Sequence, residues 1–129
     1  MSYSKEEIIN YRTQKAEEAL EEAALLAKNE HWNTVINRLY YACFYIVSAL
    51  LEKHDLEAKT HAGTKVLFNK HFLKEGIIKK DFGQFYAILF NKRQEGDYED
   101  LQKFERPDIE HYLPKASSFV TEIKNHIPD

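Results

Sequence analysis

Cysteine is nearly absent from this chain: Cys43 is the only one in 129 residues. That excludes an intrachain disulfide and a cysteine-built metal knuckle, and it fits a reducing compartment. Glycine (four) and proline (three) are also scarce, which leaves no glycine-rich phosphate loop and no low-complexity linker. There is no Asn-Gly or Asp-Gly pair and no alternating apolar pattern, so nothing signals a hairpin or a sheet. No apolar run is expected to reach the length of a membrane span, and the start, Met1-Ser2-Tyr3-Ser4-Lys5, lacks a signal-peptide core. Excess positive charge is missing too. A net charge of -3 and a pI near 6.1 exclude the overall basic footprint of many nucleic-acid binders. These absences point to a soluble, cytoplasmic protein with no membrane contact.

What is present is helix-forming. Hydrophobic content of 43% with 13% aromatics suffices for a core and argues against disorder. The length fits a single domain over residues 1–129, able to bury roughly two-thirds of its unfolded surface. Ser4 followed by Glu7 is a capping-box pair that opens a first helix running to about Lys28. Its expected apolar stripe is Ile8, Tyr11, Ala16, Ala19, Leu20, Ala23 and Ala27. A second helix, from about Trp32 to Lys53, carries Val35, Ile36, Leu39, Cys43, Ile46, Val47 and Leu50 at helical spacing and is the expected centre of the fold. Thr60 can cap a third helix bearing Val66, Leu67, Phe68 and Phe72, and Gly76 ends it. A fourth spans about Lys79 to Lys92. A fifth follows Pro107 with Ile109, Tyr112, Leu113, Ala116, Phe119, Val120, Ile123 and Ile127, interrupted by Pro114. The fold class is therefore all-α, an up-and-down bundle of four or five helices.

Charge is distributed unevenly. Residues 53–80 hold seven lysines against Asp55, Glu57 and Glu75, whereas residues 95–110 hold seven acids against Lys103 and Arg106. Solvated faces, a phosphate-binding surface and complementary patches for self-association are all compatible with that pattern.

The second helix also holds an arginine, Arg38, in the middle of its apolar pattern. Desolvating a guanidinium is costly unless it is paired or used on a ligand. Arg38, Tyr41 and Tyr45 are three and four residues apart and share one face. With Asn37, His61 at the start of the third helix, and Arg93, Asp97 and Tyr98 after the fourth, they form the candidate site. Arg38 offers a bidentate fork for phosphate or carboxylate. His61 stands where a helix N-terminus favours anions. The alternative is an internal ion-pair network in which Asp97 neutralises Arg38 or Arg93. No metal site or cofactor is expected, because the six histidines are scattered and no Glu-x-x-His pair exists. Cys43 lies on the apolar stripe and reads as core, not as a nucleophile.

Taken together, Asn37-Arg38-x-Tyr40-Tyr41-Ala42-x-Phe44-Tyr45, Lys59-Thr60-His61, Phe72-x-Lys74-x-Gly76-x-Ile78 and Arg93-Gln94-x-x-Asp97-Tyr98 resemble the HEPN superfamily, in a small bacterial and archaeal branch, over about Tyr11 to Ile127. The resemblance implies a helical bundle that forms a homodimer, and in many members a metal-independent ribonuclease or toxin. It also implies pairing with a minimal nucleotidyltransferase in a toxin–antitoxin arrangement. The family motif is an arginine, often after a polar residue, followed by four to six residues and a histidine. Asn37 and Arg38 match its beginning, and Tyr45 stands where the histidine would fall. Tyrosine, with a reference pKa of about 10, is a poor base, so either cleavage has been lost or His61 moves the proton. The implied function is an RNA-directed component of such a pair. The alternative is a non-catalytic nucleotide- or protein-binding dimeric module, in which Tyr41, Tyr45 or Tyr98 can be modified by the partner. A purely structural adaptor is the third reading.

Overall fold

The computed structural model describes residues 2–96 and 103–128. Five α-helices follow one another: α1 (Lys5–Lys28), α2 (Trp32–Lys53), α3 (His61–Phe68), α4 (Lys80–Gly96) and α5 (Arg106–Lys124). A π-helical turn, Asn69–Leu73, continues α3. No strand occurs among the described residues. Three of the helix starts have a local cause. The Ser4 hydroxyl accepts from the Glu7 N–H at 3.1 Å while the Glu7 carboxylate accepts from the Ser4 N–H at 3.2 Å, closing the expected capping box. Thr60 accepts from the Gly63 N–H at 2.8 Å. The Asp108 carboxylate accepts from the Glu105 N–H at 2.8 Å, and Pro107 sits in the first turn of α5. Pro114 is carried inside α5 without ending it.

The turns out of α1 and α2 needed no glycine. Glu30 (φ 60°) and Asp55 (φ 59°) take the left-handed conformation themselves, and His31 and Leu56 N–H groups reach back to the Leu26 and Leu51 carbonyls. Gly76 (φ 74°) ends the segment after the π turn, as expected.

α2 touches every other helix and packs most extensively on α1. Ala16, Ala19 and Ala23 of α1 are buried against it, because small side chains let two helix backbones come close. Ile36, Leu39, Ile46 and Leu50 of α2 meet Phe68, Tyr86, Leu89, Phe119 and Ile123 in the core. Three residues depart from the expected stripes. Ile9, not Ile8, is buried, and Tyr11 is 59% exposed, because Ile9, Ala16 and Ala23 share the face that meets α2 and Tyr11 points away from it. Val66 is 61% exposed, since α3 turns Thr64 and Phe68 inward instead.

α2 also amends the expectation about membrane-length segments. By length and composition it is apolar enough to cross a membrane. Its apolar side is consumed by the surrounding helices, as in a core helix.

Candidate functional site

The face of α2 that does not enter the apolar core meets the start of α3 and the last turns of α4. Three helices there bring together six of the eight expected residues: Asn37, Arg38, Tyr41, Tyr45, His61 and Arg93. Asp97 and Tyr98 lie outside the described residues. The Arg38 side chain is 30% exposed. Its Nη2 and Nε donate to the Asn37 side-chain oxygen at 2.9 and 3.3 Å. The nearest described carboxylate, Glu22, stands at 3.6 Å from Nη1 and is itself half exposed. That is a loose ion pair, worth little in water. The guanidinium lies over the Tyr41 ring, 5.0 Å from its centroid. Arg38 is thus oriented by an amide and a ring and is not enclosed among carboxylates of the described chain.

Arg93 of α4 approaches the same rings, 5.0 Å from the Tyr40 centroid and 6.0 Å from that of Tyr41. His61 is held by Tyr40, whose hydroxyl lies 2.8 Å from Nδ1. Its ring rests on Phe44 at 4.3 Å and meets Tyr41 edge-on at 5.6 Å. Thr60 caps the first turn of α3 directly before it, so the cap fixes where the imidazole emerges. Burial, followed by the nearby Arg93 charge, lowers the His61 pKa from 6.5, and the ring is neutral at pH 7. Burial pushes Tyr40 up to about 12, so its hydroxyl keeps its proton. Two tautomers satisfy the 2.8 Å contact. In one, Tyr40 donates to Nδ1 and Nε2 carries the hydrogen. In the other, Nδ1–H donates to Tyr40 and Nε2 has a free lone pair.

Next to His61 is an open cleft of about 290 Å³ between α1, α2 and the start of α3. Phe44, Tyr45 and His61 form its aromatic wall, with Ser48, Glu52 and Thr60 at polar edges. Arg12 also faces it but is engaged, donating to the Ser48 carbonyl at 3.2 Å and lying 3.6 Å from Glu52. Cys43 is fully buried and its thiol is pushed well above its ordinary value, which leaves it a core residue. Among the described residues no three of His, Cys, Asp and Glu gather as a metal site would require.

Sequence reasoning missed Tyr40 as a site residue. Its position on α2 is as buried as the leucines beside it, and only the fold brings His61 to its hydroxyl. Phe90, which with Lys65 completes the aromatic and cationic surroundings, carried no sequence signal beyond helical spacing, and Lys65 was one of the seven lysines of residues 53–80 with nothing to single it out.

The HEPN domain model matches residues 9–126. The chain belongs to the HEPN family. Among its relatives in this family, a UPF0332 protein of Thermotoga maritima is 42% identical over 97% of the chain and 95% of that protein. Two proteins of Methanocaldococcus jannaschii, each named "Putative toxin", are also similar. One is 29% identical over 88% of the chain and 78% of its own length. The other is 32% identical over 88% and 84% respectively. The HEPN match covers α1 through α5, so the Arg38 cluster lies inside the shared domain.

Proposed function

We propose that this HEPN protein is the RNA-directed component of a toxin–antitoxin pair, acting in the cytoplasm as a homodimer beside a minimal nucleotidyltransferase. The observation that carries the reading is the state of Arg38. It is part-exposed, oriented by Asn37 and Tyr41, and only loosely paired with Glu22, which leaves donors for a phosphate. The toxin names of two relatives support the setting. A neutral His61 beside the same rings supplies the chemistry. In the tautomer with its hydrogen on Nδ1, Nε2 accepts the proton of an RNA 2′-hydroxyl. The 2′-oxygen then bonds to the adjacent phosphorus, the P–O5′ bond breaks, and the leaving 5′-oxygen takes a proton from solvent. The products are a 2′,3′-cyclic phosphate and a 5′-hydroxyl. Without a strong positioned acid the reaction is slow.

A second reading is favoured by Tyr45, which stands where the family motif has its histidine. It is a dimeric module that holds a nucleotide or a partner protein without cleaving RNA. One experiment separates the two. Wild type, Arg38→Ala and His61→Ala are expressed in cells, and growth and RNA termini are followed, with helical content checked by circular dichroism. The first reading expects growth arrest and cyclic-phosphate ends that both substitutions abolish. Growth arrest without new RNA ends, lost only in Arg38→Ala, favours the binding module. If a well-folded Arg38→Ala protein behaves as wild type does in every respect, the RNA-directed reading is wrong.

A further inference from the structure

Three cations of the molecule are each held against a ring, and the rings touch one another. Lys65 of α3 places its Nζ 4.9 Å from the centroid of Phe90 of α4. Phe90 meets Tyr40 edge-on at 6.0 Å. Arg93 lies 5.0 Å from Tyr40, Tyr40 meets Tyr41 at 5.4 Å, and Arg38 lies 5.0 Å from Tyr41. The result is one continuous row crossing from α3 over α4 to α2. Tyr40 is buried beneath it, and the other five residues are part-exposed.

A cation over a ring face keeps its charge while losing much of its freedom to swing into solvent. Lys65 is therefore placed in a way that the other lysines of its segment are not. Neither it nor Lys59, Lys70, Lys74, Lys79 or Lys80 forms an ion pair among the described residues. At the opposite end of the row, the nearest described carboxylate to Arg38 is the loosely placed Glu22. Both ends thus hold positioned positive charge, even though the chain as a whole is acidic.

We propose that this row is a track for the backbone of single-stranded RNA, with Lys65 and Arg38 each taking one phosphate and Arg93 packed over the Tyr40 ring between them. The inference rests on the RNA-directed reading above and extends it from one phosphate to a strand with a path. A strand on the row passes His61, which contacts both Tyr40 and Tyr41. Single-stranded nucleic acid fits better than an acidic peptide. Each nucleotide brings one phosphate for the cations and one π-face for the part-exposed rings of Phe90 and Tyr41, the combination by which sequence-tolerant strand sites work. A peptide carboxylate uses only the cations.

The test is the salt dependence of binding, read by fluorescence anisotropy with a labelled single-stranded RNA of about 12 nucleotides. Removing one phosphate contact to a single strand lowers the slope of log affinity against log salt by about 0.7. Lys65→Gln is expected to lose that much slope and several-fold affinity, Lys65→Arg to recover both, and the off-row pair Lys79→Gln with Lys80→Gln to change the slope less than Lys65→Gln alone. If wild type binds RNA and Lys65→Gln keeps its slope, the track is wrong and the RNA-directed reading stands. If wild type ignores RNA but binds poly-glutamate, both are wrong.

Discussion

The two sides of α2 have opposite designs. One side packs Ile36, Leu39, Ile46 and Leu50 into a dry core against the alanines of α1 and the aromatics of α4 and α5. The other gathers Arg38, Tyr40 and Tyr41 with His61 and Arg93 around a wet, cationic face. The first side carries the stability of the fold, because burial of apolar surface is its main favourable term. The second holds charge in place with amides and ring faces at little cost in burial. Tyr40 joins them, since its ring is fully buried while its hydroxyl reaches His61.

That contrast can be broken most severely from the dry side. Phe119 contacts the rings of Phe68, Phe82, Phe85 and Tyr86, and Phe119→Ala is expected to lower unfolding free energy by about 3–5 kcal/mol. Urea denaturation measures it, and a loss near zero would mean that stability resides elsewhere. Ala23→Leu forces a larger side chain between α1 and α2, where Ala23 has no exposed surface. It is expected to cost about 1–3 kcal/mol by the same measurement.

On the wet side the effects on stability shrink. Thr60→Ala removes the cap of α3 and is expected to cost about 1 kcal/mol, while shifting the NMR resonances of His61 because its helix start loosens. Arg38→Ala is expected to change stability by less than about 1 kcal/mol, since its pair with Glu22 is long and part-exposed, yet to abolish any growth phenotype. A large destabilisation by Arg38→Ala would reclassify the wet side as structural.

The smallest effect is a pH dependence. His61 has a lowered pKa in the folded chain, so below 6.5 the unfolded chain binds the proton more readily than the folded one. Stability should therefore fall as pH drops below 6.5, with no contribution from this residue at higher pH. His61→Gln should flatten that part of the pH profile.

Much of the fold was legible because helices are announced locally. Ser4 with Glu7, Thr60, Gly76 and Pro107 are short-range signals, and all four act as their chemistry requires. The errors came where local signals tie. Ile8 and Ile9 are equally apolar neighbours, and only the approach of α2 decides which of them is buried. The left-handed turn at Glu30 was invisible because glutamate does not advertise that conformation, and the one at Asp55 carried only the weak signal of an aspartate. In the site, Arg38 stood out because a guanidinium contradicts an apolar stripe, whereas Lys65 and Phe90 contradict nothing.

The sequence by itself determined an all-helical chain, the central place of α2 and the anomaly of Arg38, because periodicity, caps and buried charge are properties of short segments. Only the tertiary structure decided that Tyr40 holds His61, that Lys65, Arg93 and Arg38 form one row, and that Glu22 is a loose partner. Those relations join residues from different helices, and a contact between helices is fixed by how their faces pack, which no spacing along the chain encodes.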